Sequence, residues 1–551
     1  MNTQSQHRFF PLVLSALGLV LGFVSAAAGK ELGTSPSPAA LKLTDEPEQE
    51  QVSAEGTVGV RLSAGPYAAD ADLSGSLSYQ LVAGKLPPGV KPVVATNGVY
   101  LAGVPSKAGA YQPVLRILSK TGGVSTPVAN LAFDVTISAL PEWAQGSFNG
   151  YVSTGGPATM KVTAAGKVTG KISTYGVTYS FTVDSFASGS ETNGFSIVTY
   201  TKAGSQYYLV TMVVTQVLSV AGMGVANGRF AGTPQLRLWR NQWVAGDEAL
   251  QPFIGYYTAT VPGGSDFGSC YLTLTVDKLG KVKVGGKLAD GTSVSMSGML
   301  IRDENLQTFI LLYVAPTAYK AGFFTGLIQF VESDGGETVD LQLINGTRML
   351  WFNYNPLATE DVAEGGFKRY LQSLTGGWYN KTTNLVTYYE GKSLTTGVNT
   401  NAPVPELTVG TNRYESGWWS PAGLALTPTL RSGGMTGLLA PAAGKPTDAD
   451  ADGVWDYESA VNTVGLKVSL ARPTGVFKGS FKAWFDYPLK KHVSKNLTVE
   501  GVLTPERKDR TDGVEGRGYF LWADKSSYTS TAGKQVTYSF NRSYDFLLLS
   551  E

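Results

Sequence analysis

The densest run of chemistry-bearing residues is an acidic stretch, Asp448-Ala449-Asp450-Ala451-Asp452-Gly453-Val454-Trp455-Asp456-Tyr457-Glu458-Ser459. Alternate carboxylates in a tight turn converge on one point, and a calcium ion gathers about six to eight oxygens. Asp448, Asp450 and Asp452, the Val454 carbonyl, Asp456 and Glu458 are therefore the candidate metal ligands, with Gly453 permitting the sharp turn. The closing carboxylate, Glu458, falls one place early and Ser459 stands where a bidentate ligand is expected, so an ion-free solvated turn is the competing reading. Asp70-Ala71-Asp72 is a weaker acidic pair of the same kind. A second chemistry is sugar stacking, for which Trp418-Trp419 after Gly417 are the leading candidates, followed by Trp378-Tyr379 and Tyr388-Tyr389. Neighbours on a strand point to opposite faces, so one member of each pair can face solvent. Packing in a core is the alternative for all three pairs.

Other chemistries are poorly served. The chain has two histidines, His7 and His492, and one cysteine, Cys270. A Ser-His-Asp site or a mixed zinc site would have to use His492, which lies in the basic stretch Lys490-Lys491-His492. Cys270 sits in an alternating pattern with no nearby cation to lower its pKa, which fits a small buried apolar role. Carboxylates such as Asp486 and Glu390 could pair for glycoside hydrolysis, but nothing distinguishes them from ordinary strand-edge charges. With 44 basic and 43 acidic residues the chain has a formal charge of +1, which offers no overall electrostatic footprint for nucleic acid or an anionic membrane.

Two local patterns carry resemblances. The acidic run resembles the DxDxDGxxDxxE calcium loops of EF-hand-like and thrombospondin-type repeats, with calcium as an ordering ion. Leu86-Pro87-Pro88-Gly89-Val90, Gly98-Val99-Tyr100-Leu101-Ala102-Gly103-Val104-Pro105 and Ala108-Gly109-Ala110-Tyr111 together are similar to the Ig-like, cadherin-like domains of bacterial surface proteins. That resemblance spans residues 52–138 and implies a β-sandwich of a kind used for spacing, adhesion or enzyme support.

The elements that must position these residues read as strands throughout. Short alternating runs such as Val58-Gly59-Val60-Arg61-Leu62 and Leu272-Thr273-Leu274-Thr275-Val276-Asp277 are separated by Gly-rich turns. Phe148-Asn149-Gly150-Tyr151, Gly166-Lys167 and Leu238-Trp239 recur in order about 110 residues later as Ile254-Gly255-Tyr256-Tyr257, Gly280-Lys281 and Leu350-Trp351. This duplication places Trp239 and Trp351 at matching core positions. Gly166 and Gly280 supply the left-handed residue of tight hairpins, while Gly170 and Gly286 mark a bulge or corner in a strongly curved sheet. A related hairpin around Gly475 belongs to a third, larger region opening at Leu374-Thr375-Gly376-Gly377-Trp378-Tyr379.

The N-terminus has the form of a secretory signal: His7 and Arg8, an apolar stretch from Phe9 to Val24, then Ala26-Ala27-Ala28. Pro11 and several Gly and Ser residues argue against an uncleaved anchor, and no later stretch is apolar enough to span a membrane as a helix. The absence of any cysteine pair in an exported chain points to a bacterial extracytoplasmic protein, periplasmic, cell-surface or extracellular, and soluble or peripherally membrane-associated.

The expected plan is all-β: an Ig/cadherin-like sandwich followed by repeated antiparallel β-barrel or sandwich units. Its parts are a signal peptide (1–28), a spacer (29–51), the sandwich (52–140), repeat units at 144–248 and 250–358, a linker holding the best helical candidate (359–373), and the C-terminal region (374–551) with the acidic loop at 448–459. The expected function is non-enzymatic binding or adhesion toward an extracellular protein or glycan, with a structural calcium ion and no nucleic-acid partner. A carbohydrate-binding accessory protein is the first alternative, and a polysaccharide-degrading enzyme with an unrecognised site is the second.

Overall fold

The computed structural model describes residues 47–550, apart from 69–70, 72, 264–266, 320–321, 334–335, 337, 354–366, 383–384, 390–393, 399–406, 410–411, 415–421, 431–434, 442–461, 463, 486–492, 505–512 and 530–532. Strands dominate, as the alternation requires, and the one α-helix among the described residues is the single turn Leu385–Tyr388. A sandwich is followed by three antiparallel barrel-like units: a nine-stranded and an eleven-stranded sheet, each curled but not hydrogen-bonded into a full circuit, and a third that closes completely.

The sandwich contains β1 (Gln49–Thr57), β2 (Leu62–Tyr67), β3 (Ser76–Ala83), β4 (Val90–Ala95), β5 (Gly98–Gly103), β6 (Gly109–Tyr111), β7 (Val114–Thr121) and β8 (Val124–Ser138). One sheet has the order β1-β8-β7-β3, with β6 also on β8, and the other β2-β5-β4. β1 runs parallel to β8. Val99, Leu101, Leu115, Ile117, Leu131 and Val135 are sealed between the sheets. The Pro-Pro-Gly and Gly-Val-Pro motifs form a backbone crossing: Val104 N donates to Gly89 O (3.1 Å) and Ser106 N to Pro88 O (2.9 Å). A Cβ on Gly89 or Gly103 would lie well inside 3 Å of the opposing backbone, and both have positive φ. Those glycines are demanded by the crossing itself.

The first barrel is β9 (Gly146–Val152), β10 (Pro157–Val162), β11 (Val168–Thr174), β12 (Val177–Val183), β13 (Ser188–Ser190), β14 (Gly194–Ala203), β15 (Gln206–Gln216), β16 (Gly224–Phe230) and β17 (Gln235–Arg240). β17 returns to pair with β9. β12 and β14 face each other across a seam without a ladder. There Thr201 Oγ1 donates to Ser180 O at 2.7 Å, and Tyr179 packs on Tyr208 and Phe230. Gly170 lies directly opposite Phe181, and its missing side chain is the socket for that ring.

The second barrel is β18 (Gly255–Val261), β19 (Cys270–Val276), β20 (Lys281–Lys287), β21 (Ser293–Met299), β22 (Ile301–Arg302), β23 (Thr308–Val314), β24 (Phe323–Glu332), β25 (Val339–Leu343), β26 (Met349–Asn353), β27 (Phe367–Leu371) and β28 (Thr375–Trp378). Two expectations change here. The Gly376-Gly377-Trp378 segment, expected to open the third region, closes the second barrel: Gly377 pairs with Thr258 and Gly376 with Leu341. The expected linker carries β27, a strand laid along β26; its helical candidate at 360–364 lies outside the described residues. The physical reason is pairing demand, because β18 would otherwise have an unpaired edge on that side.

The third barrel is β29 (Leu394–Val398), β32 (Ala425–Leu430), β33 (Met435–Leu439), β34 (Lys467–Ala471), β35 (Val476–Phe485), β36 (Val493–Leu503), β37 (Val514–Thr529) and β38 (Gln535–Ser550), with β30 (Leu407–Val409) and β31 (Asn412–Tyr414) as a side hairpin. β38 pairs with β29 and closes the circuit completely. Its interior is filled by Trp522, Phe477, Phe520 and Phe546, while Lys467, Lys478, Lys482 and Asn496 point outward. At these positions the polarity is the reverse of a lipid-embedded barrel. Among the described residues no helix is long and apolar enough to cross a membrane.

The modules meet through specific contacts. Arg61 N donates to Phe186 O and Phe186 N to Gly59 O, stitching the sandwich to the first barrel. Between the first and second barrels, Trp239 packs with Val225, Ile301 and Phe309, whereas Trp351 belongs to the interior of the second barrel. Both are buried, but their expected structural equivalence fails, because Trp239 points out of its barrel and Trp351 into its own. Glu304 accepts from Trp239 Nε1 (2.8 Å) and from Arg237. Burial raises the Glu304 carboxyl, yet the Trp239 indole, a backbone N–H and Arg237 outweigh it and hold it below its ordinary value. Its contribution is therefore present above the unfolded-state pKa and is lost as pH falls through the lower folded value. Glu304→Ala is expected to cost about 1–2 kcal/mol in urea unfolding at neutral pH, because the indole loses its acceptor, with Glu304→Gln recovering part of it.

Candidate binding surface

The sequence-predicted metal ligands Asp448, Asp450, Asp452, Val454, Asp456 and Glu458 lie outside the described residues, as do Trp418 and Trp419. The same holds for Asp70, Asp72, Glu390, Asp486 and His492. The two other aromatic pairs are structural. Tyr379 and Tyr389 are buried; Tyr379 OH donates to Arg472 O (2.6 Å) and Tyr389 OH to Glu515 Oε2 (3.2 Å). Trp378 packs against the second core. Cys270 is fully buried, accepts Ala289 N at 3.3 Å, and has its thiol pushed up by that burial, which leaves it unreactive.

A surface that the sequence reading missed stands on the outer wall of the first barrel. In β14 the inward residues Phe195, Ile197 and Thr201 are buried, and Val198, Tyr200 and Lys202 face solvent. In β15 Val210, Met212 and Val214 are buried, and Tyr207, Leu209, Thr211 and Val213 face outward. Register places Tyr200 opposite Leu209, Lys202 opposite Tyr207 and Val198 opposite Thr211. Tyr200 and Tyr207 are thus diagonal neighbours on one face, about 7 Å apart at the backbone. Their exposures, 63% and 68%, are far above what packing requires of a tyrosine. The Lys202 ammonium lies 5.6 Å from the Tyr207 ring centroid.

The platform is rigid because its opposite side is the barrel core: Ile197, Val210, Met212 and Phe230 fix the strands from within. On the neighbouring β16, Arg229 stands opposite Thr211 and Asn227 opposite Val213, both exposed. Two amphipathic rings, flanking hydroxyls and donors on a preformed sheet can hold a flat ligand with one apolar face and a polar rim. The available signal in the sequence was a pair of strands apolar on both faces, Phe195-Ser196-Ile197-Val198 and Tyr207-Tyr208-Leu209-Val210, in a barrel with solvent on one side.

No family model and no curated protein matches this chain.

Proposed function

We propose that this is an exported, non-enzymatic binding protein in which the barrels are scaffold and the Tyr200–Tyr207 wall is a saccharide-stacking surface. The observation that carries the reading is the diagonal pair of solvent-facing tyrosines on a sheet immobilised from behind. The C–H-rich face of a pyranose packs on such rings while Lys202, Thr211, Asn227 and Arg229 offer partners to its hydroxyls. Export rests on the N-terminal signal pattern, and a structural calcium ion at 448–458 belongs to the same reading.

A glycan array with the mature protein tests the surface. Binding is expected in the wild type, with a loss of about tenfold or more in Tyr200→Ala and Tyr207→Ala and no change in their melting transitions, since both side chains are exposed. Wild type binding no glycan, or tyrosine variants binding as well as wild type, would sink the reading. Calcium is tested by titration calorimetry: heat is expected with wild type and not with Asp450→Ala or Asp452→Ala.

A further inference from the structure

The formal charge of +1 conceals an uneven distribution. From residue 144 to 240 the chain carries Lys161, Lys167, Lys171, Lys202, Arg229, Arg237 and Arg240 against only Asp184 and Glu191. Both acids lie in turns, so the nine strands β9–β17 contain no carboxylate at all. Three of the seven cations are already engaged: Lys167 with Asp184, Arg237 with Glu304, and Arg240 with the carbonyls of Gln145 and Gly222. Lys161, Lys171, Lys202 and Arg229 are exposed and form no ion pair among the described residues.

Register puts these four on the outward face of the same barrel as the tyrosines, along a belt that runs around it. Lys171 pairs with Thr159 and with Ser180, and Lys161 with Thr169, so the two lysines are diagonal neighbours on β10 and β11. Ser180 meets Thr201 across the seam, next to Tyr200 and Lys202. Beyond them come Tyr207 on β15 and Arg229 on β16. From Lys161 the order around the barrel is cation, cation, hydroxyl, aromatic with cation, aromatic, cation, over five strand steps, one of them the seam, or about 24 Å of curved surface. A neutral sugar chain has no use for four unneutralised cations, whereas a chain with a carboxylate on its sugar rings needs both features at once.

We infer that this belt takes an acidic polysaccharide, with pyranose faces on Tyr200 and Tyr207 and ring carboxylates at Lys161, Lys171, Lys202 and Arg229. The inference rests on the saccharide reading above and adds the charge class of the ligand. The local cationic field raises the concentration and affinity of a polyanion and is weakened by salt.

The test is affinity electrophoresis of the mature protein in gels containing polygalacturonate, neutral dextran, or single-stranded DNA, at low and high salt. Polygalacturonate is expected to bind on the order of tenfold tighter than dextran at low salt, with the advantage shrinking at high salt. The variant Lys161→Gln/Lys171→Gln, which leaves Lys202 and Arg229 in place, is expected to lose most of that advantage and keep dextran binding. Replacement of the three lysines by arginine retains it, which separates charge from fold. Equal binding of the two glycans, or an advantage that survives the neutralising substitutions in a protein with an unchanged melting transition, overturns the inference and leaves the saccharide reading standing. DNA bound as tightly as polygalacturonate, with Tyr200→Ala having no effect on either, overturns it in favour of a generic polyanion surface. Binding to neither glycan overturns both readings.

Discussion

Asp545→Asn is expected to stabilise the protein above about pH 6 and to flatten its pH dependence between about pH 4 and pH 7. Asp545, on β38, is 4% exposed at the junction of the second and third barrels. It accepts Ser269 Oγ (2.7 Å), Ser269 N (3.2 Å) and Arg517 Nη1 (3.4 Å). Burial dominates, outweighing the Ser269 and Arg517 donors, and pushes the carboxyl up to about 6 from an ordinary 3.8. The folded state therefore holds the proton more tightly than the unfolded chain. The stability this group contributes is fully present below about pH 3.8 and is lost as pH rises through about 6. Two units of pKa correspond to about 3 kcal/mol, the largest titration effect expected between about pH 4 and pH 7 among the described residues. Asparagine keeps an oxygen for Ser269 and removes the buried charge, and the partly exposed Arg517 retains access to water. Urea unfolding at about pH 5 and about pH 7.5 reads the difference. A wild-type curve with no drop between those values, or a variant that drops equally, contradicts the assignment. Asp545→Ala is the control, expected to destabilise at both because Ser269 Oγ loses its acceptor and Ser269 N keeps only its longer bond to Gly518 O (3.3 Å).

The period-two alternation made the all-β class legible, since a one-residue slip would turn Leu272, Leu274 and Val276 from core to water. The hairpin glycines were equally plain: Gly166 and Gly280 have φ of 78° and 73°, which a side chain disfavours. Closure was not legible, because it depends on which distant strands meet. Nothing local in Gly376-Gly377-Trp378 says that it pairs with Thr258 and Leu341 rather than with a strand nearer the C-terminus. The two tryptophans misled for a related reason. Leu238-Trp239 and Leu350-Trp351 look alike in sequence, but Trp239 fills an interface between barrels, and a face buried by a neighbouring module has the same composition as a core. The exposed aromatic wall escaped notice from the opposite direction. Tyr200 and Tyr207 sit in strands apolar on both sides, a pattern that also describes a strand buried on both faces. Only the absence of a second layer over β14 and β15 distinguishes the two.

Gly501→Ala in the third barrel is expected to cost about 3 kcal/mol, at the upper end of what overpacking does. Gly501 on β36 pairs with Phe477 on one side and with Gly518 on the other. A methyl there would lie well inside 3 Å of the Phe477 ring, of Arg517 O and of Gly518 Cα. Gly516 extends this floor without side chains under the fully buried Phe477 ring, while Gly518 admits the Glu500 and Gly501 backbone beside it. Only the ring can move aside; the Arg517 carbonyl and Gly518 Cα belong to β37, whose ladder to β36 and β38 closes the barrel. The methyl must therefore push strands apart or displace an aromatic that fills the interior. Phe477→Ala alone opens a cavity and is expected to cost about 3–5 kcal/mol. The double variant separates the two obstacles. If the ring were the main conflict, the alanine would occupy part of the vacated space and the double variant would be no worse than Phe477→Ala. The backbone conflict requires instead that Gly501→Ala still add about 1–2 kcal/mol on top of Phe477→Ala, because Arg517 O remains in place. Denaturant unfolding of the four proteins gives the coupling directly, and full rescue in the double variant would mean that the glycine floor serves the ring and not the close approach of strands.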